Sequence, residues 1–335
     1  MVQKLTSNFR EAVSIETVEM CHPGKDEICV KNKFVGVNAT DVNMTKGRYS
    51  ASKTPFGIGF EGCGEIVEVG ENVKFLQVGQ NVVYIDARCN AYAEYVCLPA
   101  LGVIPVPKAI PDYLVLLVSG LTAAIGLDKG NRIAAGETVL ITAAAGGTGH
   151  IAVQYAKAAE CHVIGTCSSE EKEKILKGLG CDRAINYKKE DLGEVLAKEY
   201  PKGVNAIWET IGGKVFEDCV KNLAIRGRLL IVGSISGYKT ESKELTTQLD
   251  LSELPGQLLF KSATIQGFLL THYADCFSSY YNYLKEHLEG GKLKALYDNG
   301  EKTAGEEFFD LEGVIKGVEH LHSGKSIGKV IVRMS

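Results

Sequence analysis

The amino-acid sequence predicts an α/β fold class, with a β-rich N-terminal domain followed by a doubly wound parallel sheet. Three observations support this prediction. Short runs rich in β-branched residues, separated by glycines, occupy roughly the first hundred residues. From Thr138 onward, continuous apolar runs alternate with helical patterns, as expected for buried strands covered by helices on both faces. A glycine-rich turn connects the first of these strands to the first of these helices.

This turn lies within residues 138–172, where a strand, a turn, a helix and a second strand are predicted in succession. That order is typical of a dinucleotide-binding βαβ unit. In such a unit a pyrophosphate binds at the N-terminus of the helix, where unpaired N–H groups and the positive end of the helix dipole face it. Because a β-carbon would hold the backbone away from the phosphate, we expect the cofactor to lie against Gly146, Gly147 and Gly149. Ala143 replaces the first glycine of the usual motif.

The end of the second predicted strand indicates which dinucleotide binds. NAD sites usually carry Asp or Glu there to hold the ribose 2′-hydroxyl. This sequence has Ser168 and Ser169 instead, followed by Lys172, so hydroxyl and ammonium groups can receive a 2′-phosphate. The sequence therefore predicts NADP(H), used as NADPH, rather than NAD(H). Alternatively, Ser168 and Glu171 form a capping box that begins the next helix, and the two roles are compatible.

Four residues follow the later predicted strands and are candidate cofactor contacts. They are Thr210, Val232, Ser234 and Phe268. Ligands of open parallel sheets lie beyond the carboxyl ends of the strands, which is where these residues are expected. The alternative is that all four lie in loops that contact no ligand.

Composition and charge narrow the class of protein. With 335 residues, of which 45% are hydrophobic, the chain is long enough for two domains. A net charge of −4 favours neither nucleic acid nor an anionic membrane as a partner. The apolar stretch 113–127 is interrupted by polar residues and is expected to be too short to span a bilayer. The first residues show no signal-peptide pattern, so a cytoplasmic location is expected.

The cysteines carry no strong functional signal in the sequence. There are ten, and no C-x-x-C motif occurs among them. We therefore expect reduced thiols that act mainly as small buried residues.

Several motifs resemble those of a known family. They are AAAGGTG in mid-chain, GFEGCGEIVEVGENV at 59–73, Val78-Gly79-Gln80, GRYS at 47–50 and INY at 185–187. Together with the β-rich start and a short return segment, they resemble the medium-chain dehydrogenase/reductase superfamily and, within it, the zinc-free quinone oxidoreductase branch. Further segments are similar to those of the prostaglandin reductases of that branch, namely LLVSGLTA, VLITAAAGGTG, CHVIGTCSSEEK, LGCDRAINYK and GRLLIVGSISGY.

The resemblance implies two domains and a set of site residues. A GroES-like domain is formed by residues 1–115 with 265–335, and a Rossmann domain by residues 116–264. Asn38 and Phe60 stand where zinc-dependent members carry Cys and His ligands, so no metal is expected there. Tyr49 and Asn38 are implied to face the nicotinamide as candidate catalytic residues. The implied NADPH contacts are Thr122, Thr148, Ser168, Lys172, Tyr187, Thr210, Val232, Tyr238, Phe268, Leu269, Leu270 and Ser326, the last of which replaces the family's usual Asn.

The same resemblance implies an NADP-dependent oxidoreductase that reduces the carbon–carbon double bond of α,β-unsaturated ketones, with 15-keto-prostaglandin-like lipid enones as substrates. Hydride transfer to the β-carbon leaves an enolate, for which the Tyr49 hydroxyl, a backbone N–H or a ribose hydroxyl is the candidate donor. Two alternatives stay open: an NADPH:quinone reductase, which differs only in its acceptor, and an NADPH-binding protein without turnover. The family also implies a homodimer formed through edge strands of the Rossmann sheet.

Overall fold

The structure, a computed structural model, describes residues 1–49, 53–238 and 252–335. Ser50 of the GRYS motif lies outside the described residues. The described chain forms two compact units, Met1–Val118 with Ala295–Ser335, and Ser119–Lys294.

The regular elements of the described chain are numbered in chain order. The strands are β1 Glu27–Gly36, β2 Glu61–Val69, β3 Asn81–Ile85, β4 Tyr95–Pro99, β5 Val103–Val106, β6 Thr138–Ile141, β7 His162–Cys167, β8 Arg183–Asn186, β9 Val204–Glu209, β10 Leu223–Ile231, β11 Thr264–Gly267, β12 Tyr297–Asp298 and β13 Lys329–Arg333. The α-helices are α1 Phe9–Ala12, α2 Asp41–Thr45, α3 Pro111–Val115, α4 Leu121–Ile125, α5 Gly149–Ala158, α6 Glu170–Gly178, α7 Leu192–Glu199, α8 Gly213–Lys221, α9 Leu254–Lys261, α10 Phe277–Glu289 and α11 Asp310–His322. Short 3₁₀ turns lie at Ala100–Gly102, Ile235–Gly237 and Leu270–Cys276, and π-helical turns at Leu116–Gly120 and Gly126–Gly130.

The first unit is built on a mostly antiparallel sheet with the strand order β12-β13-β1-β2-β3-β5, in which β4 also pairs with β1. Side chains alternate between the two faces of each strand. Ile28 and Val30 of β1 pack with Val96 and Leu98 of β4 in one core cluster. Cys29, between Ile28 and Val30, and Cys97, between Val96 and Leu98, therefore project to the opposite face of the sheet. The pairing of β13 with β1 brings the C-terminal segment into the same sheet as the N-terminal strands.

An apolar helical segment at Pro111–Gly130 contains α3, α4 and both π-helical turns. Its 20 residues and mean hydropathy of 1.3 make it, by length and composition, the one helix in the described part of the chain that could cross a membrane. The helix is longer than the apolar stretch 113–127 of the sequence, because it extends from Pro111 to Gly130. However, 83% of its apolar window is buried inside the protein, as in the core helix of a globular protein.

The second unit contains a six-stranded sheet with the order β11-β10-β9-β6-β7-β8, and all neighbouring strands are parallel. The strands are largely buried on both faces, because helices cover the sheet on each side. The strand order changes direction between β6 and β9, which defines the switch point of the sheet. The predicted doubly wound parallel sheet is confirmed.

The structure places the C-terminal boundary of the second unit later than the sequence analysis does. β11 is hydrogen-bonded in parallel to β10, and α10 belongs to the same unit. The chain therefore returns to the first unit at Ala295 and not at residue 265. The physical reason is that β11 pairs with the open side of β10, whose main-chain groups need partners.

Candidate functional site

The glycine turn joins the end of β6 to the start of α5. Ala143 has a left-handed conformation with φ of 47°, and the Gly146 N–H donates to its carbonyl oxygen at 2.9 Å. A β-carbon on Gly149 would lie 2.4 Å from that same oxygen and 2.7 Å from the Cα of Ala144. Gly149 must therefore be glycine for the helix to begin this close to the end of the strand.

The N-terminus of α5 provides main-chain donors for an anion. Its N-cap residue, Thr148, makes no capping hydrogen bond through its side chain, although the His150 N–H already donates to the Gly146 carbonyl oxygen at 3.1 Å. His150 in the first turn is fully buried, and its Nδ1 lies 2.9 Å from the Gly146 carbonyl oxygen. Burial lowers the pKa of His150 to about 4, so its imidazole is neutral at neutral pH. Attraction for a phosphate therefore comes from the main chain and not from an imidazolium.

Main-chain hydrogen bonds align several of the predicted contacts along one edge of the parallel sheet. Just beyond the strands, N–H groups donate at 2.8–3.1 Å to carbonyls near the ends of neighbouring strands: Thr142 to Trp208, Ala144 to Thr166, Tyr187 to Cys167, Val232 to Glu209 and Phe268 to Ile231. This is the carboxyl edge, where ligands of such sheets bind. The structure thus brings Tyr187, Val232 and Phe268 to the same edge as the glycine turn.

Two threonines meet at the switch point between β6 and β9. The Thr142 hydroxyl donates to the Trp208 carbonyl oxygen at 3.1 Å and accepts the Thr210 N–H at 2.9 Å. The two hydroxyl oxygens are 3.0 Å apart. Because the Thr142 hydrogen is already used, Thr210 must be the donor of this pair. The Thr210 oxygen consequently has only acceptor capacity left for a ligand.

The tip of β7 differs from the predicted capping box. Ser169, and not Ser168, is the N-cap of α6, because its extended backbone lets its Oγ accept the Lys172 N–H at 3.3 Å. The third residue after the cap is therefore Lys172 and not Glu171. The Lys172 side chain is mostly buried, and Tyr187 at the end of the adjacent β8 is 54% exposed. Ser168 and Tyr187 thus lie just beyond the ends of the neighbouring strands β7 and β8, and Lys172 lies in the first turn of α6. This is where the 2′-phosphate is expected.

The loop after β10 is held by Tyr238. Its hydroxyl oxygen accepts the Ser234 N–H at 3.2 Å, and a β-carbon on Gly233 would lie 3.0 Å from that oxygen. Tyr238 is buried. It therefore shapes the loop that carries Ser234, in addition to any contact with a cofactor.

The remaining predicted contacts belong to several elements. Phe268 is buried and stacks on Tyr273 with ring centroids 4.9 Å apart, whereas Leu269 is exposed. Leu270 begins a 3₁₀ turn. The other three are Thr122, buried in α4, and two half-buried residues, Gly147 in the glycine turn and Ser326 between α11 and β13 of the first unit.

In the first unit, a buried ion pair forms the centre of a polar group that we call the Lys329 cluster (Asn38, Asp41, Glu61, Tyr92 and Lys329). Lys329 Nζ lies 2.5 Å from Glu61 Oε1 and 2.6 Å from Asn38 Oδ1. The Lys329 and Glu61 side chains are only 3% and 0% exposed.

The amide of Asn38 is fully engaged in this cluster. Its Nδ2 donates to Glu61 Oε1 at 3.0 Å and to the Gly36 carbonyl oxygen at 3.2 Å. Since lysine can only donate, the amide oxygen must be the atom that faces Lys329. Both amide hydrogens are therefore committed within the protein.

The side chains of the Lys329 cluster are not a suitable set of ligands for a catalytic zinc ion. Zinc sites combine thiolates, imidazoles and carboxylates. Here an amide and one carboxylate stand where such ligands are expected, and both already contact the Lys329 ammonium. A divalent cation at this place would be repelled by that ammonium.

Asp41 is the second carboxylate of the Lys329 cluster. Its Oδ2 accepts the Tyr92 hydroxyl at 2.5 Å and the Asn38 N–H at 2.8 Å, while its Oδ1 has no hydrogen-bond partner among the described residues. Burial raises the pKa of Asp41 to about 7, although the donors from Tyr92 and Asn38 and the charge of Lys329 act in the opposite direction.

Tyr49 lies after α2 and is 47% exposed. Its hydroxyl oxygen accepts a long hydrogen bond, 3.5 Å, from Asn43 Nδ2. In this contact the phenol keeps its own hydrogen, so Tyr49 can donate to a ligand. The Tyr49 hydroxyl thus has a hydrogen available, whereas both amide hydrogens of Asn38 are engaged, and the catalytic role of either residue stays a prediction.

Several residues of these sites have no role that was predicted from the sequence. Asp41 and Glu61 lie in the two stretches compared with zinc ligands, and only the absence of zinc was inferred from them. Lys329 begins an apolar closing strand, and Glu209 ends an apolar inner strand, where its Oε1 accepts the Ile211 and Gly212 N–H groups at 2.7 and 2.9 Å. For Lys329 and Glu209, the available signal was a charged residue at the first or last position of an apolar strand.

The raised pKa of Asp41 predicts a pH-dependent stability. The folded chain holds a proton that the unfolded chain releases between about pH 4 and 7, so this contribution is complete below that window and is lost as the pH rises through it. We expect Asp41→Asn to remove this loss, because the amide oxygen can still accept from Tyr92 and Asn38. Between about pH 5 and 7, the free energy of unfolding should fall by about 2 kcal/mol less in the variant.

The measurement is chemical unfolding of both proteins across this pH range. Glu19→Gln is the matched control, because Glu19 is an exposed carboxylate of the same unit. If Asp41→Asn and the parent show parallel pH profiles, Asp41 is ionised throughout the range and the prediction is wrong.

Comparison with known proteins identifies the family. Residues 24–108 match the alcohol dehydrogenase GroES-like domain, and residues 147–287 match the zinc-binding dehydrogenase family. Prostaglandin reductase-3 from Bos taurus is 46% identical over 337 aligned residues, which cover 100% of this chain and 88% of that protein. A probable quinone oxidoreductase from Leishmania amazonensis is 40% identical, with 99% of this chain and 96% of that protein covered.

Solved structures show the same architecture. Escherichia coli quinone oxidoreductase, solved in complex with NADPH, superposes with a TM-score of 0.85 at 28% identity and covers 99% of this chain and 98% of its own. The quinone oxidoreductase of Pseudomonas syringae pv. Tomato DC3000 gives a TM-score of 0.85 at 27% identity, with the same coverage of both chains. The chain therefore belongs to the medium-chain dehydrogenase/reductase superfamily of oxidoreductases, with prostaglandin reductase-3 and the quinone oxidoreductases among its relatives.

Proposed function

We propose that this chain uses NADPH to reduce the carbon–carbon double bond of α,β-unsaturated ketones, with 15-keto-prostaglandin-like lipid enones as substrates. The observation that carries the proposal is the glycine turn at the switch point of the parallel sheet, where Gly149 lets the start of α5 approach the end of β6. The substrate class is supported by the 46% identity to prostaglandin reductase-3 over the whole chain.

Each group of residues has a defined task in this reaction. When bound, NADPH supplies the hydride that adds to the β-carbon of the enone. Negative charge then develops on the carbonyl oxygen, and we assign the Tyr49 hydroxyl as its hydrogen-bond donor. Asn38 would have to break a bond to Glu61 or Gly36 to take this role, so we assign it the task of orienting Glu61 and Lys329. Water can supply the proton to the α-carbon, so no residue has to act as an acid there.

A quinone reductase is the second candidate. It is favoured by the 40% identity to a probable quinone oxidoreductase and by the likeness to solved quinone oxidoreductases. Quinones are themselves conjugated enones, so the same hydride donor can reduce them. The two functions therefore differ in the shape of the acceptor and not in the chemistry of the cofactor.

The deciding experiment supplies the purified chain with NADPH and a panel of acceptors: 15-keto-prostaglandin, simple acyclic enones, and quinones of one and two rings. We expect NADPH oxidation with the enones and, with C4-deuterated NADPH, a deuterium label on the β-carbon of the product. Turnover of quinones alone would favour the second candidate. NADPH binding without oxidation by any acceptor would refute both reactions and favour a binding protein.

Removing the Tyr49 hydroxyl should slow the reaction. Loss of one donor to an oxyanion typically lowers kcat by about a hundredfold or more, so we expect Tyr49→Phe to reduce kcat by about that factor while the KM for NADPH stays unchanged. Tyr297→Phe is the control, because Tyr297 is an exposed tyrosine of the same unit and lies in strand β12. A Tyr49→Phe enzyme with the parent rate would assign the donor to a main-chain or ribose group instead.

The preference for NADPH should depend on Lys172. Lys172→Met keeps the buried stem and removes the charge, so we expect the Kd for NADPH to rise about tenfold or more, the effect of losing one charge-assisted hydrogen bond. The Kd for NADH should not change. Lys174→Met on the exposed side of the same helix is the control. Equal affinity of the parent for both cofactors would contradict the assignment of the 2′-phosphate site.

We also propose a homodimer through the edge strand β11. This is supported by the exposure of Leu259 and Phe260 in the adjacent helix α9, at 74% and 86%. Large apolar side chains this exposed often mark a protein interface. A cytoplasmic location is proposed on the balance of charge, since a net −4 gives no attraction to anionic membranes.

A further inference from the structure

Three thiols converge on the antiparallel sheet of the first unit. The Sγ atoms of Cys21, Cys29 and Cys97 all lie within 4.8 Å of one another. They are separated along the chain, which is why the sequence shows no metal-binding motif. All ten cysteines are free thiols, and these three form the one such group in the described part of the chain.

The sheet itself fixes two of the thiols and a carboxylate in a row. Cys29 on β1 is the direct partner of Cys97 on β4 and of Glu68 on β2. Residues directly opposite each other in adjacent strands project to the same face. The row lies on the face opposite the core cluster that contains Ile28 and Val30. Cys21 adds the third thiol from the irregular segment that precedes β1.

A second observation at this place is an imidazole beside the carboxylate. His22 follows Cys21 in the chain, and its Nδ1 lies 2.9 Å from Glu68 Oε2. A histidine that bonds a carboxylate through one ring nitrogen has the arrangement typical of metal-ligating histidines. The His22 side chain is 73% exposed, so it can reorient. Glu68 and His22 are thus two candidates for a fourth ligand.

We propose that Cys21, Cys29 and Cys97 form a binding site for a thiophilic cation, with Zn²⁺ as the ion and Glu68 or His22 as the fourth ligand. Two thiolates on a tetrahedral zinc ion are about 3.8 Å apart, given zinc–sulfur bonds of about 2.3 Å. The thiols therefore need only small shifts to coordinate one ion. A disulfide would use two of them and leave the third unused, whereas a cation uses all three.

The chemistry of binding is a proton displacement without any redox step. Three thiols lose their protons to solvent and three sulfur–zinc bonds form, which leaves one net negative charge on the zinc–trithiolate unit. Burial raises the pKa of the Cys29 thiol to about 11. The Arg88 guanidinium donates to the Cys97 carbonyl oxygen, but it also pairs with Glu27 and Asp86, so it adds little net positive charge beside the unit.

This site is separate from the candidate active site. The stretches that correspond to zinc ligands elsewhere in the superfamily, around Asn38 and Phe60, contain none of the three thiols. The site is therefore expected to stabilise the sheet, by tying the segment before β1 to β1 and β4, and not to take part in hydride transfer.

The test uses the reduced, chelator-treated full chain and Co²⁺ as a spectroscopic probe, followed by displacement with Zn²⁺. We expect one Co²⁺ per chain with thiolate-to-cobalt charge-transfer absorption, and loss of that absorption when one equivalent of Zn²⁺ is added. The double variant Cys21→Ser with Cys97→Ser should lose the absorption. Cys276→Ser, a similarly half-buried cysteine of the second unit, should retain it.

Two further measurements make the outcome decisive. Circular dichroism and NADPH binding establish that the variants are folded. If the double variant does not fold, the single variant Cys21→Ser is used, because Cys21 lies in an irregular segment outside the sheet. It should weaken Zn²⁺ binding by at least about tenfold. Absence of charge-transfer absorption in the parent, or the same absorption in a folded double variant, would overturn the proposal. A Cys29–Cys97 disulfide in the freshly purified chain with no bound metal after reduction would do so as well.

Discussion

The buried pair of Lys329 and Glu61 is the interaction on which the first unit depends. Glu61 begins β2, near the N-terminal end of the chain, and Lys329 begins β13, near its C-terminal end. Removing one partner of a buried ion pair typically costs about 3–5 kcal/mol, because the other charge is left uncompensated. The C-terminal segment therefore does more than complete a sheet through β13. It also supplies the ammonium that compensates the buried Glu61 carboxylate, so both ends of the chain contribute to one unit.

The second unit depends on main-chain geometry and not on charge. At the carboxyl edge of its sheet, neighbouring strand ends are joined by N–H to carbonyl bonds, and α5 begins in contact with the end of β6 because Gly149 has no β-carbon. The imidazole of His150 beside this turn is kept neutral by burial, which lowers its pKa. A cofactor phosphate here meets fixed dipoles that need no rearrangement. The two units thus use different physical means to fix their functional groups.

The parallel sheet of the second unit could be predicted from the sequence because the patterns that indicate it are local. Continuous apolar runs, a glycine turn and a helical pattern follow one another within one βαβ unit, and each can be recognised without knowing its neighbours. Local patterns are less accurate about where an element begins. The N-cap of α6 is Ser169 and not the predicted Ser168, because both serines are suitable caps and only the backbone conformation decides between them. The Lys329 cluster could not be predicted, since Asn38 and Lys329 are 291 residues apart in the chain. The same holds for Cys29 and Cys97, whose contact depends on the register between β1 and β4.

The Lys329 cluster also bears on which carbonyl compounds the site can activate. The Lys329 ammonium is offset by Glu61, and the Asn38 amide has no hydrogen left to donate. In the reaction proposed above, stabilisation of the developing oxyanion is assigned to a neutral donor, the Tyr49 hydroxyl. A neutral donor stabilises a localised alkoxide much less than a divalent cation does. In an enolate the charge is shared between oxygen and carbon, so a weaker donor is sufficient. We infer that this arrangement favours conjugate acceptors over isolated ketones.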